Sequence, residues 1–152
     1  MIIIGADHGG FELKEKMKDK LCRKGLTVVD VGAYSLDNED DFSKFVKLMC
    51  NAFDNANQKK QPNEENQEIK IIAFCGSGVG VCIGLNKHKN ILCAVGHNKE
   101  EVEKACLHNG INALALGGRV VSVEQAEEMI DVFLVTKSLG GKYERRMKEI
   151  CE

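Results

Sequence analysis

The chain has 152 residues, 43% of them hydrophobic and 29% charged, with a formal net charge of −2 at neutral pH. That length fits one domain that can bury a core without disulfide or metal staples. The charge balance argues against a general nucleic-acid or membrane-surface binder, and no stretch is long and apolar enough to be read as a membrane span.

Residues 1–6 are a short apolar run, read as a buried strand; with no positive segment ahead of it, it is not expected to be a secretion signal. Phe11, Leu13, Met17 and Leu21 recur among Lys and Glu, which predicts an amphipathic helix over 11–24, stopped by Gly25. A β-branched strand over 26–31, a turn-rich stretch and a helix over about 41–56 follow. Residues 57–68 (NQKKQPNEENQE) are polar and carry the only proline. They are expected to form an exposed loop inserted in a single domain spanning 1–152. A third strand over 69–74 runs into Cys75-Gly76-Ser77-Gly78-Val79-Gly80 and a short helix. Beyond it the pattern predicts a strand over 91–95, a helix over 99–107 and a strand over 113–116. A long helix over 122–138, capped by Ser122, and a basic helix over 142–150 complete the chain.

Strands alternate with helices, and each strand reads as apolar on both faces. That pattern predicts a five-stranded parallel sheet covered by helices on both sides. Ligands of such sheets sit beyond the carboxyl ends of the strands. Asp7-His8 after the first strand and Cys75 to Gly80 after the third are therefore candidate site residues, together with His108-Asn109 before the fifth.

Glycines let backbone approach an anion, and a following helix start supplies free N–H groups. The spacing in Gly76-Ser77-Gly78-Val79-Gly80 fits neither the dinucleotide nor the Walker pattern. A helix start favours a thiolate, so Cys75 is a candidate general base, with a buried structural cysteine as the equal alternative. His8 and His108 are candidate acid–base groups. Arg119, Lys142, Arg145 and Arg146 are either a solvated face or a phosphate clamp. The seven cysteines include no CxxC pair, so zinc spacing is absent. Free thiols in a reducing cytosol, most of them filling core space, are the expectation.

GADHGGFELK, FCGSGVGVCIGLNK, HNGINALALGGRVV and GGKYERR occur in this order over nearly the whole chain. Together they resemble the type B ribose-5-phosphate isomerases, a group that includes the galactose-6-phosphate isomerase subunits. The resemblance implies a cytoplasmic, metal-free and cofactor-free aldose–ketose isomerase on a Rossmann-like three-layer α/β/α fold, dimeric or tetrameric, with its site at a subunit interface where one subunit gives the Asp-His pair and the glycine loop and the other gives the His-Asn pair and the arginines. It also implies roles. Cys75 is the base between C1 and C2, Ser77 assists proton movement between the oxygens, and His108 opens the furanose ring. Asp7 and His8 contact substrate. Gly76, Gly78, Val79 and Gly80 hold the enediolate through backbone N–H groups. Asn109 binds a sugar hydroxyl, and Arg119, Lys142 and Arg146 line the phosphate end.

One branch of the family places a glutamate base just after the glycine loop. Val81 stands there, which leaves Cys75 as the matching base. Lys142 replaces a usual arginine, Tyr143 stands where some members have histidine, and Phe42-Ser43 replace a common Tyr-Pro. These departures leave a six-carbon sugar phosphate as the alternative substrate, and a non-catalytic phosphosugar-binding protein as the alternative outside the enzyme class.

Overall fold

A computed structural model of the chain describes residues 1–59 and 68–151. In chain order the elements are β1 (Ile2–Ala6), α1 (Phe11–Arg23), β2 (Val28–Asp30), α2 (Phe42–Gln58), β3 (Lys70–Cys75), α3 (Val79–Leu85), β4 (Cys93–Val95), α4 (Lys99–Asn109), β5 (Ala113–Gly117), α5 (Val123–Val135) and α6 (Lys142–Cys151). The five strands form one parallel sheet in the order β2-β1-β3-β5-β4.

Alternate residues of the central strands divide the core. Ile2, Ile4, Ala6, Ile72, Phe74, Leu114 and Leu116 face α1, α4 and α5. Ile3, Ile71, Ala73, Ala113 and Ala115 face α2 and α3. This is the expected three-layer arrangement. β1, β3 and β5 are buried along their whole length, as two covered faces require.

The edge strands differ from the expectation of strands apolar on both faces. β2 and β4 are three residues long and incompletely buried. β2 starts late because Leu26 caps α1: its N–H reaches Leu21 O at 3.2 Å while Gly25 N–H reaches Cys22 O at 3.0 Å. With Gly25 at φ +75°, this is a Schellman ending. β4 starts late because Leu92 N–H is held by the Asn112 side chain at 2.8 Å.

Two helix ends also differ. α5 stops at Val135 rather than at 138. Phe133 O, in the last turn of α5, accepts from the buried Lys70 Nζ at 2.6 Å. A cation at a helix C-terminus is favourably placed. At the other end of α5, Ser122 and Gln125 form a full capping box. α2 runs to Gln58, so the first residues of the anticipated 57–68 loop belong to a helix, and 60–67 lie outside the described residues.

All seven cysteines are free thiols; Cys75 and Cys106 are buried in the core, Cys50, Cys82 and Cys93 pack against it partly buried, and Cys22 and Cys151 are exposed, so most of them do fill core space. Among the described residues, no helix is long and apolar enough to cross a membrane.

Candidate active site

β1 leads through α1 to one edge of the sheet, and β3 leads through α3 toward the other. The carboxyl ends of β1 and β3 therefore flank the switch point where a doubly wound sheet opens a crevice. Three loops meet there, and they meet through glycine. A side chain on Gly10 would strike Phe74 C at 2.5 Å and Cys75 N at 2.6 Å, and one on Gly118 would strike Gly9 O. These glycines lie outside the Gly76–Gly80 loop read from sequence as room for an anion, and they make room for backbone.

Cys75 closes β3 at the centre of this meeting point. Its side chain is buried, and Sγ accepts the Gly78 N–H at 3.1 Å. Gly78 has φ +80°, which turns the chain into α3 and aims that donor at the sulfur. Ser77 is exposed, and its Oγ accepts the Val79 N–H at 3.2 Å. The N–H groups of Gly78 and Val79 are thus engaged by Cys75 and Ser77. Those of Gly76 and Ser77 have no hydrogen-bond partner among the described residues. Gly80 packs against the Phe42 ring, which would lie 3.1 Å from a Cβ at that position. Arg119 follows β5 and folds over Gly76, with Nη1 3.3 Å from where a Gly76 Cβ would stand, so it lies on the glycine loop of its own chain rather than with the His-Asn pair as expected.

Asp7 follows β1. Its Oδ1 accepts Gly9 N–H at 2.9 Å and Gly10 N–H at 3.2 Å. Burial pushes its carboxyl above the usual range, although His8 and these two N–H groups act against the rise. His8 is partly exposed. Its backbone N–H and its Nδ1 both reach Asp40 Oδ1, at 2.8 and 2.9 Å. The hydrogen bond to Asp40 is the main cause holding the His8 ring above its ordinary pKa; partial burial opposes it, and the Asp7 charge adds to it. Asp40 was not among the residues expected here. The acidic run from Asp37 to Asp41 was the available signal, but it also reads as a solvated turn.

The remaining expected residues form a second group, away from Cys75. His108 and Asn109 end α4, before the start of β5. Ala113 pairs with Ile71 and Gly117 with Cys75, so four residue rises, about 13 Å, separate the two levels of the sheet. The His108 ring stacks on Tyr143 at 4.6 Å between centroids, with 10° between the planes. Lys142 Nζ and Arg146 Cζ flank the Tyr143 ring at 5.2 and 6.0 Å. Asn109 Nδ2 lies 3.5 Å from Met147 Sδ. A cavity of about 390 Å³ lies beside this group, lined in part by Asn109, Ser138, Glu144 and Met147. Within one chain, then, Asp7, His8, Cys75, Gly76, Ser77, Gly78, Val79, Gly80 and Arg119 come together at the carboxyl ends of the strands, while His108, Asn109, Lys142 and Arg146 gather at the other end. Tyr143, noted in the sequence only as a departure, is what joins α6 to His108. Among the described residues, no group of three or more His, Cys, Asp or Glu is arranged to hold a metal ion.

A family model described as Ribose/Galactose Isomerase matches residues 2–150. A probable ribose-5-phosphate isomerase B of Mycoplasma genitalium is 34% identical over 149 residues, covering 98% of this chain and 92% of its own. Two solved structures share the fold. The ribose 5-phosphate isomerase of Thermotoga maritima matches with a TM-score of 0.87 at 34% identity, over 98% of this chain and 95% of that one. The Mycoplasma genitalium ribose-5-phosphate isomerase B, solved with bound ribulose-5-phosphate, matches with a TM-score of 0.87 at 32% identity, over 99% and 93%.

Proposed function

The chain belongs to the ribose/galactose isomerase family, and from that premise we propose that it interconverts ribose 5-phosphate and ribulose 5-phosphate through an enediolate, with Cys75 as the base. The observation that carries this reading is the setting of Cys75. Its sulfur sits in the β1/β3 crevice at a glycine turn, beside backbone N–H groups that are not otherwise engaged.

The chemistry follows from that setting. Asp7 and His8 hold the open-chain sugar over the loop. The Cys75 thiolate takes the proton from C2, and the charge that develops on O1 meets the N–H groups of Gly76 and Ser77, with the turn through Gly78, Val79 and Gly80 fixing their direction. The Ser77 hydroxyl passes a proton from O2 to O1, and Cys75 returns its proton to C1, which leaves the ketose. Arg119 extends over Gly76 toward the phosphate end.

Ring opening needs an acid and a base at the ring oxygen and the anomeric hydroxyl, which is the proposed task of His108. The separation of His108 from Cys75 within one chain supports a composite site. A second copy then supplies His108, Asn109, Lys142 and Arg146, in a homodimer or a tetramer built from such dimers. Stacking on Tyr143 fixes the His108 ring plane, and Lys142 and Arg146 bring two positive charges to the phosphate.

The test is an isomerase assay of the purified chain against five- and six-carbon sugar phosphates. Turnover of ribose 5-phosphate is expected, and Cys75→Ala is expected to abolish proton transfer while still binding the sugar phosphate. Wild-type turnover in Cys75→Ala would remove Cys75 from its role.

A further inference from the structure

Asp40 lies in the segment between β2 and α2, outside the four motifs, yet its side chain is only 6% exposed and reaches into the site. We propose that Asp40 is a positioning residue that holds the His8 ring by Nδ1 and keeps it as an imidazolium, so that Nε2–H is presented to the substrate as a charged donor. The inference rests on the reading of the site as a sugar-phosphate isomerase.

The hydrogen bonds determine the ring's orientation. Asp40 Oδ1 accepts both the His8 backbone N–H and Nδ1, at 2.8 and 2.9 Å. A carboxylate has only acceptors to offer, so the proton in the second contact resides on Nδ1. Nε2 is then the nitrogen left for a ligand, on a side chain that remains 28% exposed.

The charge follows from burial. Asp40 Oδ2 is buried and has no hydrogen-bond partner among the described residues. An ionised carboxylate removed from water and half unpaired is unfavourable unless an opposite charge answers it. Among the described residues the only cation paired with Asp40 is His8. Lys44 lines the same hollow beside Asp40 but forms no ion pair with it. The charged groups facing His8 are Asp40, from the segment before α2, and Asp7, from its own loop. Both are acids, so both favour the charged ring.

The loop does not depend on this contact for its shape. Asp40 N–H is held by Asp37 O at 3.2 Å, and Glu39 N–H by the Asp37 side chain at 3.0 Å. The Asp40 carboxylate is therefore free to serve His8.

The test compares the wild-type chain with Asp40→Asn by NMR titration of the four histidines, with His8 identified by loss of its signal in His8→Asn. Asparagine keeps an acceptor and removes the charge. The His8 midpoint is expected to fall in Asp40→Asn while those of His88, His97 and His108 stay in place. In the isomerase assay, between the two midpoints, KM is expected to rise roughly tenfold with kcat within about twofold, the loss of one charge-assisted contact. The alkaline rise of KM should move to lower pH with the NMR midpoint. An unmoved His8 midpoint, or a loss of equal size at every pH, would overturn the proposal. A measurement on the unaltered chain guards against a variant that does not fold. Above the His8 midpoint its ¹⁵N shifts should place the remaining proton on Nδ1; a proton on Nε2 overturns the proposal. A wild-type chain that isomerises no sugar phosphate would overturn the proposed function instead, and the titration would still report the pairing.

Discussion

Mixing two inactive variants measures whether the site is composite. Cys75 closes β3 level with Gly117, whereas His108 precedes the start of β5, about 13 Å away along the strands. Acid–base groups act on one substrate at hydrogen-bond distances of about 3 Å from the atoms they serve. In the proposed composite site, a five-carbon sugar phosphate held at Cys75 meets the His108 of a second copy. Cys75→Ala and His108→Ala homodimers each lack one group at both sites. A mixed dimer contains one site with both native groups and one site with neither. Random reassortment makes about half of the dimers mixed, each with one working site of two, so roughly a quarter of wild-type activity should return. The assay is the initial rate from cyclic ribose 5-phosphate, where the His108 lesion is felt, after exchange of equimolar variants. Native mass spectrometry on one size-tagged variant establishes that exchange has occurred. Complete exchange with no recovered activity would place both groups in one chain's site and refute the composite arrangement.

Two further predictions come from the fold around the site. In Gly10→Ala the new methyl would press on the backbone of Phe74 and Cys75 at about 2.5 Å. Overpacking of this kind costs roughly 1–3 kcal/mol; denaturant unfolding should show that loss together with a fall in kcat, and unchanged stability would mean that the loops do not meet there as described. Lys14 is fully buried and donates to Asp30 Oδ2 at 2.9 Å and to Ala33 O at 2.7 Å. Lys14→Met is expected to cost about 3 kcal/mol, the low end for breaking a buried pair, since Asp30 keeps Lys18 at 2.6 Å. Burial alone would raise the Asp30 carboxyl, but Lys18, the Gly32 N–H and Lys14 together outweigh it and hold it below its ordinary range. Its contribution is therefore present above the unfolded carboxylate pKa and disappears as pH falls through the folded value. The variant should lose stability less steeply in acid than the wild-type chain, and an equal slope in both would contradict this account.

The layers of the fold were legible because burial on two faces leaves a plain mark. The runs that became β1, β3 and β5 are continuous and apolar, and their alternate residues divide between two helix layers. The ends of the edge elements were less legible, because contacts remote in sequence decide them. β4 begins where Asn112 releases the chain, and α5 ends where Lys70, 63 positions earlier, takes the Phe133 carbonyl. Strand pattern and helix propensity carry no trace of either contact. Asp40 escaped for the same reason: an acid in a turn has the same sequence signature whether it faces water or a histidine 32 positions away.

The candidate site residues could be named from the sequence, but their division between two subunits came only from the family resemblance and not from the residue pattern. Cys75, Ser77 and the glycines are contiguous, so their local geometry follows from one strand end and one turn. His108 and Asn109 sit just before a strand, and a list of strand-end residues would place them beside Cys75. A parallel sheet forbids that. Each strand leaves its carboxyl end, crosses through a helix and returns at the amino end, so residues just after one strand and residues just before another lie at opposite edges. The four motifs, read in order, therefore fall into two groups at opposite ends of one chain. In the proposed function, where both groups serve one substrate, a topology that holds them apart requires a second copy, and assembly becomes part of the chemistry rather than an addition to it.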